Sequence, residues 1–282
     1  MAIKKHYRRL LILLFLFIGN SSIQLLSAQT EDWKSVDWQI GVGQTYLYDE
    51  YLSPLSHEGL GLKFSNTSLK PLKWGLPDNL EKSYDGAVWF NQLRFSLDAA
   101  TCESVASTNL LYGNIAIHNS LFRKIISKPQ WCTSIGAFAD INGGGRYCSQ
   151  NGNNPGSLDL IFNLGIAAMA DYDFQFLGKS LKLRYEGNLA LGGLAFSPEY
   201  AESYYEIFYL NNHHNIVKFT SLANKQDWQQ QLSIDLPLAN HKKSSFRISY
   251  VNEGRISLLN NIRIRNLSDY FSVGYIHYFN IL

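Results

Sequence analysis

Between Ser197 and Phe219 the chain reads SPEYAESYYEIFYLNNHHNIVKF, the stretch richest in side chains that could move protons. Glu199, Glu202, Glu206, His213 and His214 offer carboxylates and imidazoles for general acid–base work. Tyr200, Tyr204, Tyr205 and Tyr209 lie among them. His213 and His214 are adjacent, so in an extended chain they point to opposite faces and do not readily share one metal ion. A hydrolase built here requires a His within reach of a Ser or a carboxylate. The chain carries no G-x-S-x-G nucleophile motif. HEGLGLKFS and NHHNIVKFTS lack the close His–Ser spacing of barrel lipid hydrolases, and the acidic and His residues of barrel proteases do not appear in order. The residues imply no catalytic assignment, no metal and no cofactor. The aromatic and acidic side chains fit better as groups that fold the loop against the rim, or as a contact surface for a partner, a glycan or a lipid.

A second set of chemistry-bearing residues is spread through the chain at alternate positions. In LKLRYEGNLAL (181–191), Leu181, Leu183, Tyr185, Leu189 and Leu191 share one face, and Lys182, Arg184, Glu186 and Asn188 the other. WQQQLSIDLPL (228–238) sets Trp228, Leu232, Ile234, Leu236 and Leu238 against Gln229, Gln231, Ser233 and Asp235. FRISYVNEGR sets Phe246, Ile248 and Tyr250 against Arg247, Ser249, Glu253 and Arg255. WQIGVGQTYLY (38–48) repeats the pattern. A strand with this period has one apolar and one polar face. Sandwich strands usually run about 5–6 residues, whereas these patterns last ten or more, about what a tilted membrane strand needs.

The expected elements are about ten strands, at 37–48, 57–66, 87–99, 108–122, 130–146, 156–174, 180–196, 226–239, 243–257 and 266–280. The reading is all-β: a single antiparallel transmembrane barrel closed by the C-terminal strand, because hydrocarbon tolerates no open sheet edge. Twelve strands is the alternative, should 203–222 add a hairpin. Lys63, Arg94, Asp98, His118, Asp140, Asp159, Lys182, Arg184, Glu186, Asp235, Arg247, Glu253 and Arg255 then face the lumen. Arg184, Glu186, Asp235, Arg247, Glu253 and Arg255 are expected to form a charge network there, since an unpaired buried charge is expensive. That network plugs the lumen or, alternatively, lines a narrow channel.

The segments FLGKS (176–180) and ANHKKS (239–244) read as short periplasmic turns. The outer loops are then 48–59, 98–108, 148–157, 197–225 and 258–265, with 67–86 an anomalously long connection on the periplasmic side. Cys102 and Cys148 fall at the same outer end and could pair; three cysteines make no disulfide framework. GGGRYC (143–148) lacks the Lys and helix of a phosphate-binding loop.

The first 28 residues have the layout of a secretory signal peptide: Lys4, Lys5, Arg8 and Arg9, an apolar run from Leu10 to Ile18, then LSA before cleavage near Ala28. Residues 29–282 form the barrel domain. Removing the leader takes four of the 25 basic residues and no acid, leaving 21 against 23 acids, a formal charge of −2. That balance gives no case for nucleic-acid binding.

YLSPLSHEGLGLKF, NGNNPGSLDLIFNLGIAAMADYDF, LAFSPEYAESYYEIFYL and the C-terminal hairpin resemble a family of small outer-membrane proteins of Bacteroidota known as a domain of unknown function. SPEYAESYYEIF and NGNNPGS are its most specific parts. The resemblance implies an outer-membrane barrel in a Gram-negative cell, in contact with membrane lipid, and no catalytic residues. The ending DYFSVGYIHYFNIL resembles the terminal strand signature read by the outer-membrane assembly machinery. Phe271, Val273, Tyr275, His277 and Phe279 share its outer face. Ser272, Gly274 and Tyr278 face inward with Ile276 as an apolar intruder.

Overall fold

The computed structural model describes residues 33–72, 89–152, 155–199, 202–211, 214–238 and 243–280. Alternation over long segments makes strands, and the strands close. In chain order they are β1 (Trp33–Asp49), β2 (Ser56–Leu72), β3 (Trp89–Ser104), β4 (Asn109–Lys128), β5 (Trp131–Cys148), β6 (Gly156–Phe176) and β7 (Lys179–Phe196). Then follow the single-turn helix α1 (Tyr204–Phe208), β8 (Val217–Ser221), β9 (Lys225–Pro237), β10 (Ser244–Leu259) and β11 (Ile262–Asn280).

Each strand pairs antiparallel with its neighbours, and β1 pairs with β11 from Trp33↔Asn280 to Asp49↔Ile264. With β6 paired to β7 and β7 to β9, the result is a closed ring of ten strands. β8 is one further short strand outside this ring. It pairs only with the Gly192–Phe196 end of β7, while β9 takes the Lys182–Leu189 end. The twelve-strand alternative is therefore corrected: 203–222 folds as α1 and β8 and inserts no hairpin into the wall.

The alternation sorts the wall by polarity. Trp38, Ile40, Val42, Leu62, Phe95, Ile117, Ile141, Leu164, Ile248 and Val273 point outward and are exposed. Gln39, Lys63, Ser65, Arg94, Asp98, Asn163, Ser233, Arg247 and Ser272 point inward and are buried. This is the reverse of a soluble domain and the arrangement a hydrocarbon solvent selects. Leu181 keeps its expected parity, opposite Phe174, but is buried. Ile276 is buried, as its position among inward residues requires. His277 is half-buried, with Nδ1 3.0 Å from the Ser244 hydroxyl and its ring edge-on to Phe279 at 4.5 Å.

Two tight turns show why the strands run longer than the sequence implies. Leu177–Gly178 and Asn260–Asn261 have φ between 48° and 74°, the left-handed pair of a type I′ hairpin turn. The expected outer loop at 258–265 shrinks to Asn260 and Asn261. The loop at 98–108 shrinks to 105–108, since β3 continues to Ser104. On the other side of the barrel β2 extends through Leu72, and 73–88 lies outside the described residues. Where large rings cross the wall, glycine makes room. A Cβ on Gly254 would overlap the Trp228 ring, and one on Gly165 would overlap both Phe138 and the Leu189 carbonyl.

Candidate functional site

The inward faces carry charges of both signs, and the register matches them across strands. Nearest the start of β1 and the end of β11, Arg247 binds Asp235 through two bonds of 2.6 and 2.7 Å and Asp37 through a third of 2.6 Å. Beside it Arg184 grips Asp171 at 2.6 and 2.8 Å. One level up, Arg94 pairs with Glu186 at 2.7 Å and donates to Gln229, while Gln92 also donates to Glu186. Lys63 bridges Asp98 at 2.8 Å and Glu253 at 2.5 Å. Arg255 and Lys225 share Asp227 at 3.0 and 2.8 Å. At the far end Arg146 joins Asp49 and Asp159 at 3.2 and 2.8 Å. Pairing offsets the desolvation penalty that would otherwise expel these groups from a narrow barrel.

All six residues of the expected network therefore have partners, yet only Asp235 and Arg247 pair with each other. Arg184, Glu186, Glu253 and Arg255 are matched by Asp171, Arg94, Lys63 and Asp227. Asp37, Asp49, Arg146, Asp171, Lys225 and Asp227 were missing from the expectation. For Asp37 the signal was present: it alternates with Trp38 and Ile40 and so had to face inward.

Among the described residues, polar chambers lie between these layers, two of which bear on the lumen. The central one, of about 90 Å³, is lined by Lys63, Asp98, His118, Asp140 and Arg255. The other, of about 160 Å³ near the termini, is lined by Asp37, Gln92, Lys182, Arg184 and Arg247. Both are large enough and polar enough for several waters. Arg94 lines both, so the Arg94–Glu186 pair is the partition. Beyond Arg146 the lumen is filled by Leu47, Leu52, Cys102, Leu110, Tyr112 and Cys148.

The two cysteines in that cluster correct the disulfide expectation. Cys102 is the register partner of Leu110, and Leu110 of Cys148. Two interstrand spacings, about 9–10 Å, separate their backbones, beyond the ~7 Å that a bridge spans. Both thiols are free.

Beside the central chamber, His118 and Asp140, which line it, and Ser120, which does not, stand in the order of an acyl-transfer relay. His118 Nε2 is 2.8 Å from the Ser120 hydroxyl and its Nδ1 is 3.6 Å from Asp140 Oδ2. Asp140 also accepts from Asn142 and Asn163. The sequence reading missed this pair because it looked at the rim, although His-x-Ser on a strand places both side chains on one face. Order alone is not catalysis, which requires the nucleophile to reach a substrate carbonyl. Ser120 is 0% exposed, with Phe122 two positions on and Phe138 as its register partner. The His118 ring lies 4.5 Å from that of Phe138. The cluster anchors Asp140 in the packed wall.

At the barrel end opposite the start of β1 and the end of β11, α1 packs over the rim. Ser203 caps it: the Ser203 hydroxyl accepts from the Glu206 amide, and Glu206 accepts from the Ser203 amide at 2.7 Å. These donors hold the Glu206 carboxyl below its ordinary range. Tyr51 donates to the Glu202 carbonyl at 2.8 Å, and Tyr204 accepts from the Leu158 amide at 2.6 Å. Burial, aided by Asp49 and Glu202, pushes the Tyr51 phenol up to about 12. Ile207 is fully buried, and Phe196, Tyr204 and Phe208 stack in sequence. Outward, Tyr205 and Tyr209 stack at 4.7 Å and stand 59% and 71% exposed. Glu199 binds Asn215 at 2.7 Å, and its amide donates to Glu202. His214 is exposed, while Tyr200 and His213 lie outside the described residues.

Residues 9–282 match the model of one family, described as a protein of unknown function, DUF3316. Nothing among curated proteins matches the chain. Solved structures similar to it include the outer membrane protease OmpT from Escherichia coli, at 8% identity over 90% of this chain and 99% of that one, with a TM-score of 0.44. The transport unit of the autotransporter AIDA-I from Escherichia coli is similar at 5% identity over 94% and 97%, with a TM-score of 0.47. The translocator domain of the autotransporter NalP from Neisseria meningitidis is similar at 9% identity over 99% and 96%, with a TM-score of 0.39.

Proposed function

Because the chain belongs to the DUF3316 family, whose members have no assigned function, we propose its role from the barrel itself: a non-conducting, non-enzymatic component of an outer membrane, with a contact surface at its outer end. The observation that carries this reading is the polarity of the wall. Apolar side chains cover the outside, while the charges sit in the lumen as matched ion pairs. In this reading the chain is exported from a Gram-negative cell of the Bacteroidota by a leader cleaved near Ala28. The outer-membrane assembly machinery then inserts it after recognising β11, where Phe271, Val273, Tyr275 and Phe279 share the outer face.

The exposed pair Tyr205–Tyr209, with Phe208 beside it, supplies flat aromatic faces for a partner protein, a glycan or a lipid. Glu202 and Glu206 fix the loop that presents them.

The two chambers that share Arg94 favour one second reading, a narrow conduit interrupted at Arg94–Glu186. Planar-bilayer recording separates the two. The filled lumen predicts no discrete current steps at high salt. Reproducible steps from the wild type, altered by Arg94→Ala, would replace the closed reading with the conduit.

A further inference from the structure

We infer that the outer wall carries a seat for one anionic phospholipid, with an acyl chain lying in a groove across β4–β9 and the phosphate on Arg123. The inference rests on the membrane reading proposed above. The register defines the groove. One row of partners runs Trp89, Arg123, Ile135, Ala168, Gly187, Gln230, and the next runs Leu121, Ala137, Ile166, Leu189, Trp228. Both rows point outward, and both dip in the middle: Ala168 and Gly187 in one, Ala137 in the other, have little or no side chain. The larger residues at either end leave a trough of about 1020 Å³ with an almost wholly apolar lining.

Elsewhere the belt carries large outward residues such as Ile117, Ile141, Leu164 and Ile248, and another trough, at Ala99, Gly113 and Gly143, is smaller, about 620 Å³, and has no cation among its lining residues other than the inward Lys63. A trough in such a wall forfeits dispersion contacts unless a flexible apolar chain fills it. Its closed ends argue for a chain held in place over one sliding past. At one end Arg123 lies 5.6 Å from the Trp89 ring, near the barrel end where β1 begins and β11 ends. At the other end Trp228 and Leu222 form the stop. A guanidinium at the mouth of a hydrocarbon groove is complementary to a lipid phosphate, which it can bind through two parallel N–H donors. Stacking on Trp89 holds its plane ready for that contact.

Native mass spectrometry of the detergent-solubilised protein tests the seat, with phosphatidylglycerol titrated into the wild type, Ala168→Leu and Arg123→Gln. Diacylglycerol serves as the arm without a phosphate. The expected result is a single phosphatidylglycerol adduct on the wild-type monomer that survives collisional activation. Ala168→Leu, which fills the trough, abolishes it. Arg123→Gln, which leaves the trough open, weakens it roughly tenfold, the size of one lost charge-assisted contact. Equal adducts on all three proteins overturn the seat, as does diacylglycerol binding as tightly as phosphatidylglycerol. A wild-type dimer that Ala168→Leu converts to monomer assigns the trough to a second copy and also overturns it. A protein that stays dispersed without detergent sinks the membrane reading itself. A detergent-requiring, heat-modifiable barrel without an adduct sinks the seat alone.

Discussion

At the scale of residues, the lumen turns on which charges are dry. Arg247 is buried between two carboxylates, Asp37 and Asp235. Arg247→Ala leaves both acids in a low-dielectric interior, and breaking a buried pair in this way costs about 3–5 kcal/mol. Lys182 faces Asp173 at 3.8 Å with its side chain 35% exposed, so Lys182→Ala costs under ~1 kcal/mol. Urea unfolding in lipid vesicles measures both, and equal losses would mean that water floods the lumen. A serine-directed fluorophosphonate supplies a second check. Ser120, packed with Phe122 and Phe138, stays unlabelled in the folded barrel, and a mass shift on its peptide would show that the His118–Asp140 cluster is reachable. Alternation made the inward charges legible in the sequence, because parity on a strand needs only the chain itself. The identity of each partner was not legible. Arg184 meets Asp171, 13 residues away, but Arg94 meets Glu186, 92 residues away, and only the register decides both.

At the scale of elements, length explains what could be read. Strands of 13 to 21 residues carry enough alternation to announce themselves. All the ring strands but β9 are longer than expected, running past the expected limits at one end or both, because rim residues are polar on both faces and the pattern fades there. Residues 204–208 and 217–221 gave no periodic signal: five residues are too few, and each element is held by its neighbours more than by its own propensity. For α1 those neighbours are specific. Ser203→Ala removes the cap, at a cost of about 1 kcal/mol, and is expected to speed amide exchange across Tyr204–Phe208 while leaving β7 protected. The cap also responds to acid. The Glu206 carboxyl is held below its ordinary value, so its contribution is complete above that value and is lost as pH falls through the lowered one. Exchange in α1 therefore accelerates in acid in the wild type, and Glu206→Gln flattens that response. An unchanged pH profile in Glu206→Gln would remove the carboxylate from the account.

At the scale of the whole molecule, the ring of ten was countable from the sequence because each strand spans the wall once and the two ends meet, β1 on β11. The extra strand β8 was not countable, because it shares the position of β9 along β7. The central claim is that the outward face meets hydrocarbon while the inward face is packed and paired. Site-directed spin labelling in lipid bilayers tests it most directly, reading collision with dissolved oxygen against collision with a water-soluble nickel chelate. Labels at Ile40, Val42, Phe271 and Val273 are predicted to collide freely with oxygen and hardly with nickel. Labels at Gln39, Ser249 and Ser272 are predicted to be shielded from both, giving a period of two along β1 and β11. Uniform exposure to nickel on the outward set, or no alternation between neighbouring positions, would contradict the barrel as a membrane wall.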